Sequence, residues 1–178
     1  VVPGYVMYKM LADAEVNSRF NANLNTVESL QNEIYFLPFL GFLITVGACY
    51  RLAKFNIDTR QSDSFIGLPT PANALFVVSL PLLWNPDVCP YQVIDVLTNK
   101  WFLLAVTAIS TFVMNAELPL FSLKIKNFSL AKYKLQLFFL FLSVLMLIFL
   151  KILAVPLIIL TYIILSVFVN IKKNPQRK

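Results

Sequence analysis

The sequence predicts an all-α integral membrane protein, a polytopic helical bundle with one partial and about five complete transmembrane helices. Hydrophobic residues make up 58% of the 178 and charged residues only 13%, too few charges to cover the surface of a soluble domain. Several uncharged runs match the ~20 apolar residues that a helix needs to cross a bilayer. Alternating strands of roughly ten residues, the mark of a membrane barrel, are not found. Residues 1–178 read as a single membrane domain, incomplete at its N-terminus.

The first element is Val1–Ala12, apolar but only about 18 Å long as a helix, little more than half a bilayer. It is therefore expected to be the second half of a cut span. "VVPGYVMYKM" carries no basic region followed by an apolar core, so it is not a signal peptide. Asp13–Glu33 reads as a polar loop. Ile34–Tyr50 is uncharged and forms the first complete span, followed by the polar segment Arg51–Asp63. The next span lies within Ser64–Pro86 and is entered through "GLPTP". Asn85–Lys100 is a loop, and Trp101–Ala116 is another span, with Trp101 as an interfacial anchor.

Glu117–Lys134 is a loop with four lysines, and Leu135–Ile171 then contains a single charge, Lys151. As one helix this run would measure about 55 Å against a hydrocarbon core of ~30 Å. It must turn back, and Lys151–Pro156 is the natural place. The predicted spans are roughly 1–12 (partial), 34–52, 69–85, 101–117, 134–150 and 154–171.

Loops alternate across the membrane, and the basic residues sort with them. One side receives Arg51, Lys54 and Arg60, then Lys124, Lys126, Lys132 and Lys134, then Lys172, Lys173, Arg177 and Lys178. The other holds Lys9, Arg19, Lys100 and Lys151 among most of the acidic residues. Positive charge marks the cytoplasmic face, so Arg51–Asp63 and the C-terminus are expected there. Cys49 then sits near the inner face and Cys89 in an outer loop. A disulfide, which needs Cα atoms within about 7 Å, is excluded between them. The absence of His removes the commonest general base and metal ligand. The net charge of +6 is spread along membrane borders and gives no support to nucleic-acid binding. "NFS" at Asn127 matches a glycosylation acceptor but falls on the cytoplasmic side.

Chemistry concentrates in "RLAKFNIDTRQSDSFIGLPTPANALF", residues 51–76. Arg51 and Lys54, at i and i+3, share a helix face, and Asn56 follows. Two cations and an amide can hold a phosphate or carboxylate. Composition alone favours the plainer reading, anchors that snorkel to headgroups, since basic residues at inner helix ends are the rule. In "GLPTPANA", Gly67 permits a tight turn, Thr70 suits an N-cap and Pro71 the first helical position. That is either an anion-binding helix start or simply a well-capped one. The four lysines before position 135 are accounted for by attraction to anionic lipid, about 1 kcal/mol each.

"YRLAKFN", "FIGLPTPANA" and "MNAELPLFSLKIKNF" resemble, in that order, the C-terminal two thirds of the CDP-alcohol phosphatidyltransferase family, in its bacterial phosphatidylserine synthase branch. The first two motifs are the specific ones. Lys54 stands where the family usually has Arg, which keeps the charge and loses the planar fork. Asn73 stands where a small Ala is common. The family's Asp-rich signature, D-x2-D-G-x2-A-R-x8-G-x3-D-x3-D, is not in this sequence, which has four glycines and no Asp-Gly pair.

The resemblance implies transfer of a phosphatidyl group from CDP-diacylglycerol to the hydroxyl of L-serine, giving phosphatidylserine and CMP. It also implies Mg2+ or Mn2+ held by the signature aspartates, since hard divalent ions take carboxylate and phosphate oxygens. No catalytic residue or metal ligand is assigned within this chain. The expected substrate-binding residues are Arg51, Lys54, Asn56, Gly67 and Thr70. The expected setting is a multi-pass protein of the inner (cytoplasmic) membrane, and the resemblance implies a homodimer, as is common in the family. The chain is expected to lack two spans and the start of a third, and to be inactive without them. Two other readings stand beside this one. A sibling transferase would use another alcohol. A transporter or non-catalytic membrane component would carry polar or broken helices at the midplane, whereas these spans keep their ionisable residues at the ends.

Overall fold

The computed structural model describes residues 1–22, 36–57, 65–116, 119–120 and 134–173. Helix α1 (Val2–Ala22) opens the chain. A 3-10 segment, Leu37–Phe42, with Pro38 in its first turn, runs into α2 (Leu43–Ile57). Strand β1 (Phe65–Ile66) precedes α3 (Thr70–Ser79), which Pro81 tightens into a 3-10 turn, Pro81–Trp84. Helices α4 (Tyr91–Thr98) and α5 (Lys100–Asn115) follow, then β2 (Pro119–Leu120). The described residues finish with α6 (Lys134–Leu150), a 3-10 turn, Lys151–Leu153, and α7 (Ala154–Lys173).

The fold is helical, as predicted; α6 and α7 fall on the expected 134–150 and 154–171, while the earlier helices depart from the expected spans. Leu37–Ile57 is long and apolar enough to cross a membrane, and so is the run Gln136–Phe168, which is folded back on itself at Lys151. The bent pair Tyr91–Thr98 and Lys100–Asn115, at 71°, becomes a third if it acts as one span. Five complete helices are therefore not confirmed among the described residues. The physical reason is length. Thr70–Trp84, broken at Pro81, covers about 22 Å at 1.5 Å per residue, short of a ~30 Å core. Helix α5 alone is 16 residues.

Two expected loops are partly helical. Within Asp13–Glu33, α1 continues to Ala22. Met7, Met10, Leu11 and Ala14 are buried at i, i+3, i+4 and i+7, so the core-facing stripe outlasts the apolar composition. The buried Glu15 carboxylate extends that face by pairing with Lys100 Nζ at 3.1 Å. Within Asn85–Lys100, Pro90 starts α4, and the Asn99 side chain caps α5 by accepting from the Trp101 N–H at 2.9 Å.

One core cluster joins Met7, Met10 and Leu11 of α1 to Ile44, Val77, Leu97 and Leu103. Gly41 lets the 3-10 segment lie against α1, because a Cβ there would come within 2.5 Å of the Tyr8 backbone nitrogen. A second cluster joins Leu68 to Phe139, Ile159 and Tyr162. In one straight helix, Phe139 and Tyr162 would be about 35 Å apart. Their ring centroids are 5.8 Å apart, so α6 and α7 form a hairpin. Lys151 makes the turn in the left-handed region, φ 49°, an uncommon conformation for a residue with a Cβ. Both cysteines are free thiols, Cys49 exposed and Cys89 buried.

Candidate functional site

The polar segment and "GLPTP" meet at the C-terminal end of α5. Arg51 projects from α2, half-buried, and its guanidinium donates Nη1–H to the Met114 carbonyl at 2.5 Å and Nη2–H to the Gly67 carbonyl at 3.3 Å. The last carbonyls of a helix lack intrahelical partners, and a planar guanidinium can serve two carbonyls at once. Leu68 adds a backbone bond, its N–H donating to the Val113 carbonyl at 3.2 Å. On the flanks, β1 and β2 pair antiparallel, Phe65 opposite Leu120 and Ile66 opposite Pro119. The turn before α3 is thus stapled to the exit of α5 from three directions.

Gly67 is required by this junction. Its φ is +75°, and a Cβ would lie 2.6 Å from the Met114 carbonyl oxygen and 2.8 Å from Arg51 Nη1. Thr70 is the first residue of α3, half-buried, and the N-cap is Pro69, with no side-chain capping bond. The expected Thr70 cap is therefore displaced by one residue. Pro69, at φ −55° and ψ 135°, already supplies the non-helical entry. Its carbonyl accepts from the Asn73 N–H at 3.1 Å.

Of the five expected site residues, Arg51 and Gly67 are in direct contact, and Thr70 begins its helix three positions further on. Lys54 is half-buried in the last turn of α2, on the side of the helix that Arg51 occupies. Asn56 is exposed and lies about 140° around the axis from Arg51, at 100° per residue. Asp58, Arg60 and Asp63, and the lysines 124, 126 and 132, lie outside the described residues.

Two polar contacts were not assigned from sequence. Asn73, 2% exposed, accepts through Oδ1 from the Ser110 hydroxyl at 2.5 Å, joining α3 to α5. Asn115 donates to the Gly47 carbonyl at 3.2 Å and to its own helix at Thr111, 2.9 Å, joining α5 to α2. The signal was present in the composition. Asn and Ser inside apolar helices are costly unless bonded across a helix interface. Among the described residues no three His, Cys, Asp or Glu come together, so these residues do not fit a divalent cation site.

Three curated proteins match the chain. Enzymes from two strains of Helicobacter pylori, each a CDP-diacylglycerol–serine O-phosphatidyltransferase, are 38% and 35% identical over 102 residues. The chain is similar to CDP-diacylglycerol–serine O-phosphatidyltransferases. Those two matches span 56% of this chain and 39% of each relative. The Bacillus subtilis enzyme of the same name is 40% identical over 57 residues, 30% of this chain and 32% of that one. The chain thus matches under two fifths of the length of each curated relative. No family model matches, and no solved structure matches. The described residues include runs long and apolar enough to cross a membrane, and the three relatives are named as phosphatidyltransferases.

Proposed function

We propose that this chain is part of a CDP-diacylglycerol–serine O-phosphatidyltransferase. In the reaction, the serine hydroxyl oxygen bonds to the lipid-side phosphorus as the bond from phosphorus to CMP breaks and the hydroxyl proton is released. Phosphatidylserine and CMP are the products. The observation that carries this reading is the identity with relatives of that name across 102 residues. The junction at Gly67 supports it locally, because a built and buried turn beside a cationic helix end suits a wall for an anionic substrate.

Within that reading, Arg51 is a positioning residue that fixes the start of α3 against the end of α5 through Gly67 and Met114. Lys54, on the Arg51 side of α2, faces the substrate's charged groups, whereas Asn56, about 140° around the axis from Arg51, does not share that side. The described residues form no metal site, and the roles given to them do not depend on one. Basic residues near the Arg51 end favour a cytoplasmic position for that face, with the C-terminus on the same side.

The test uses the complete protein in membranes. CDP-diacylglycerol and radiolabelled serine, with Mg2+ or Mn2+, are expected to give labelled phosphatidylserine and equimolar CMP. Turnover with another alcohol but not with serine would move the chain to a sibling transferase. No CMP release with any alcohol would overturn the transferase reading.

A further inference from the structure

Asn115 ties α5 to α2 one turn away from Arg51. Gly47 and Arg51 are four residues apart on α2, about 6 Å along the axis and on nearly the same face. Arg51 reaches from α2 to the Met114 carbonyl of α5. The next residue, Asn115, reaches back from α5 to the Gly47 carbonyl at 3.2 Å. The two helices are thus cross-linked in both directions over a single turn.

The Asn115 amide can sit only one way round. Its nitrogen faces two carbonyl oxygens, those of Gly47 and Thr111, and a reversed amide would set oxygen against oxygen. The other end, Oδ1, is buried and has no hydrogen-bond partner among the described residues. A buried acceptor left without a donor lowers stability, whereas an apolar side chain of the same shape carries no such cost. Leu at position 115 would therefore serve packing better, and what Asn supplies is the direction of its two donated bonds. Gly47 makes room for them: a Cβ there would lie 3.1 Å from Asn115 Nδ2 and 2.7 Å from Thr111 Cγ2.

The two tethers differ in stiffness. Arg51 acts through a long side chain with much rotamer freedom, so its bonds to Met114 and Gly67 are compatible with more than one placement of α2. Asn115 has a short side chain and is pinned to its own helix at Thr111, 2.9 Å away. We propose that Asn115 is a positioning residue for the transferase reaction. It sets α2 against α5 so that Arg51 meets the Gly67 turn and Lys54, three residues beyond Arg51, meets the substrate's charged groups. The effect on turnover rests on the transferase reading; the effect on the Gly67 turn rests on geometry alone.

The complete protein in membranes is compared with Asn115→Leu, Arg51→Ala and the double variant. Initial rates are measured alongside hydrogen exchange of the Leu68 amide, which donates to Val113. Asn115→Leu is expected to lower kcat/KM for CDP-diacylglycerol about tenfold, with a melting temperature no lower than the parent's. Leu68 exchange should quicken as it does in Arg51→Ala. The double variant should be no worse than Arg51→Ala in either readout, because Asn115 acts through Arg51. Gly47→Ala, which crowds the same contact from α2, is a second route should Asn115→Leu fail to insert. Losses that multiply in the double variant would overturn the proposal. So would a lowered melting temperature with parent-like exchange at Leu68, the mark of a tether that only holds the fold. If the parent releases no CMP with any alcohol, the transferase reading falls by itself, and Leu68 exchange across the variants still decides whether Asn115 acts through Arg51.

Discussion

Arg51 donates to the carbonyl of Met114, a residue 63 positions further along the chain, and to that of Gly67 between them. One side chain thus closes two loops at the site end of the bundle. Arg51→Ala is expected to lower phosphatidylserine formation more than tenfold while the protein still inserts. Arg51→Lys retains charge but loses the planar fork and is expected to fall between. Proteolysis at the turn before α3 should quicken in both. A Lys variant equal to the parent would show that charge, and not the two-carbonyl geometry, is what matters.

Gly67 combines a left-handed backbone with a filled space. Gly67→Ala is expected to cost about 1–2 kcal/mol from conformation, and more from the clash with the Met114 carbonyl. Gly67→Asn separates the two effects, because Asn tolerates the conformation but brings the same Cβ. Equal loss of thermal stability in both variants would assign the cost to the clash, and recovery in the Asn variant to backbone conformation.

The Asn73–Ser110 bond lies within apolar surroundings. A double-mutant cycle with Asn73→Ala and Ser110→Ala, read by unfolding in detergent, is expected to give a coupling near 0.6 kcal/mol and no more than about 1.7. A coupling of zero would reduce the pair to a coincidence of packing.

Glu15 is 6% exposed, with Lys100 Nζ 3.1 Å away. Lys100→Met leaves a carboxylate in the protein without that ammonium, and a loss on the order of 3 kcal/mol is expected. Adding Glu15→Gln should recover most of it. A double variant as unstable as Lys100→Met would mean that Lys100 acts by packing its stem.

The helical, membrane-embedded class was legible because composition alone decides it. The hairpin at Lys151 was legible because an apolar run of that length cannot be straight in a bilayer. Helix ends were not. Composition marks Asp13 as polar, yet Ala14 and Glu15 are buried by the periodicity of α1 and by Lys100 of another helix. The site was legible as a place, in Arg51 and the Gly67 turn. The contacts themselves were hidden, since nothing in "RLAKFN" says that its Arg will serve the end of α5. Asn73 stood out only as an unexpected residue until Ser110 was seen opposite it.

Helix α6 packs chiefly against α7 and the turn that joins them, while Phe138, Phe141, Ile148 and Phe149 are all exposed. Most of its surface reads only whether a side chain is oily. Saturation mutagenesis should therefore find "LQLFFLFLSVLMLIFL" almost freely interchangeable among Leu, Ile, Phe, Val and Met. The exception should be Phe139, whose ring meets Tyr162. Such a segment carries thickness and little information, and it can wander in spelling faster than any other helix of the molecule.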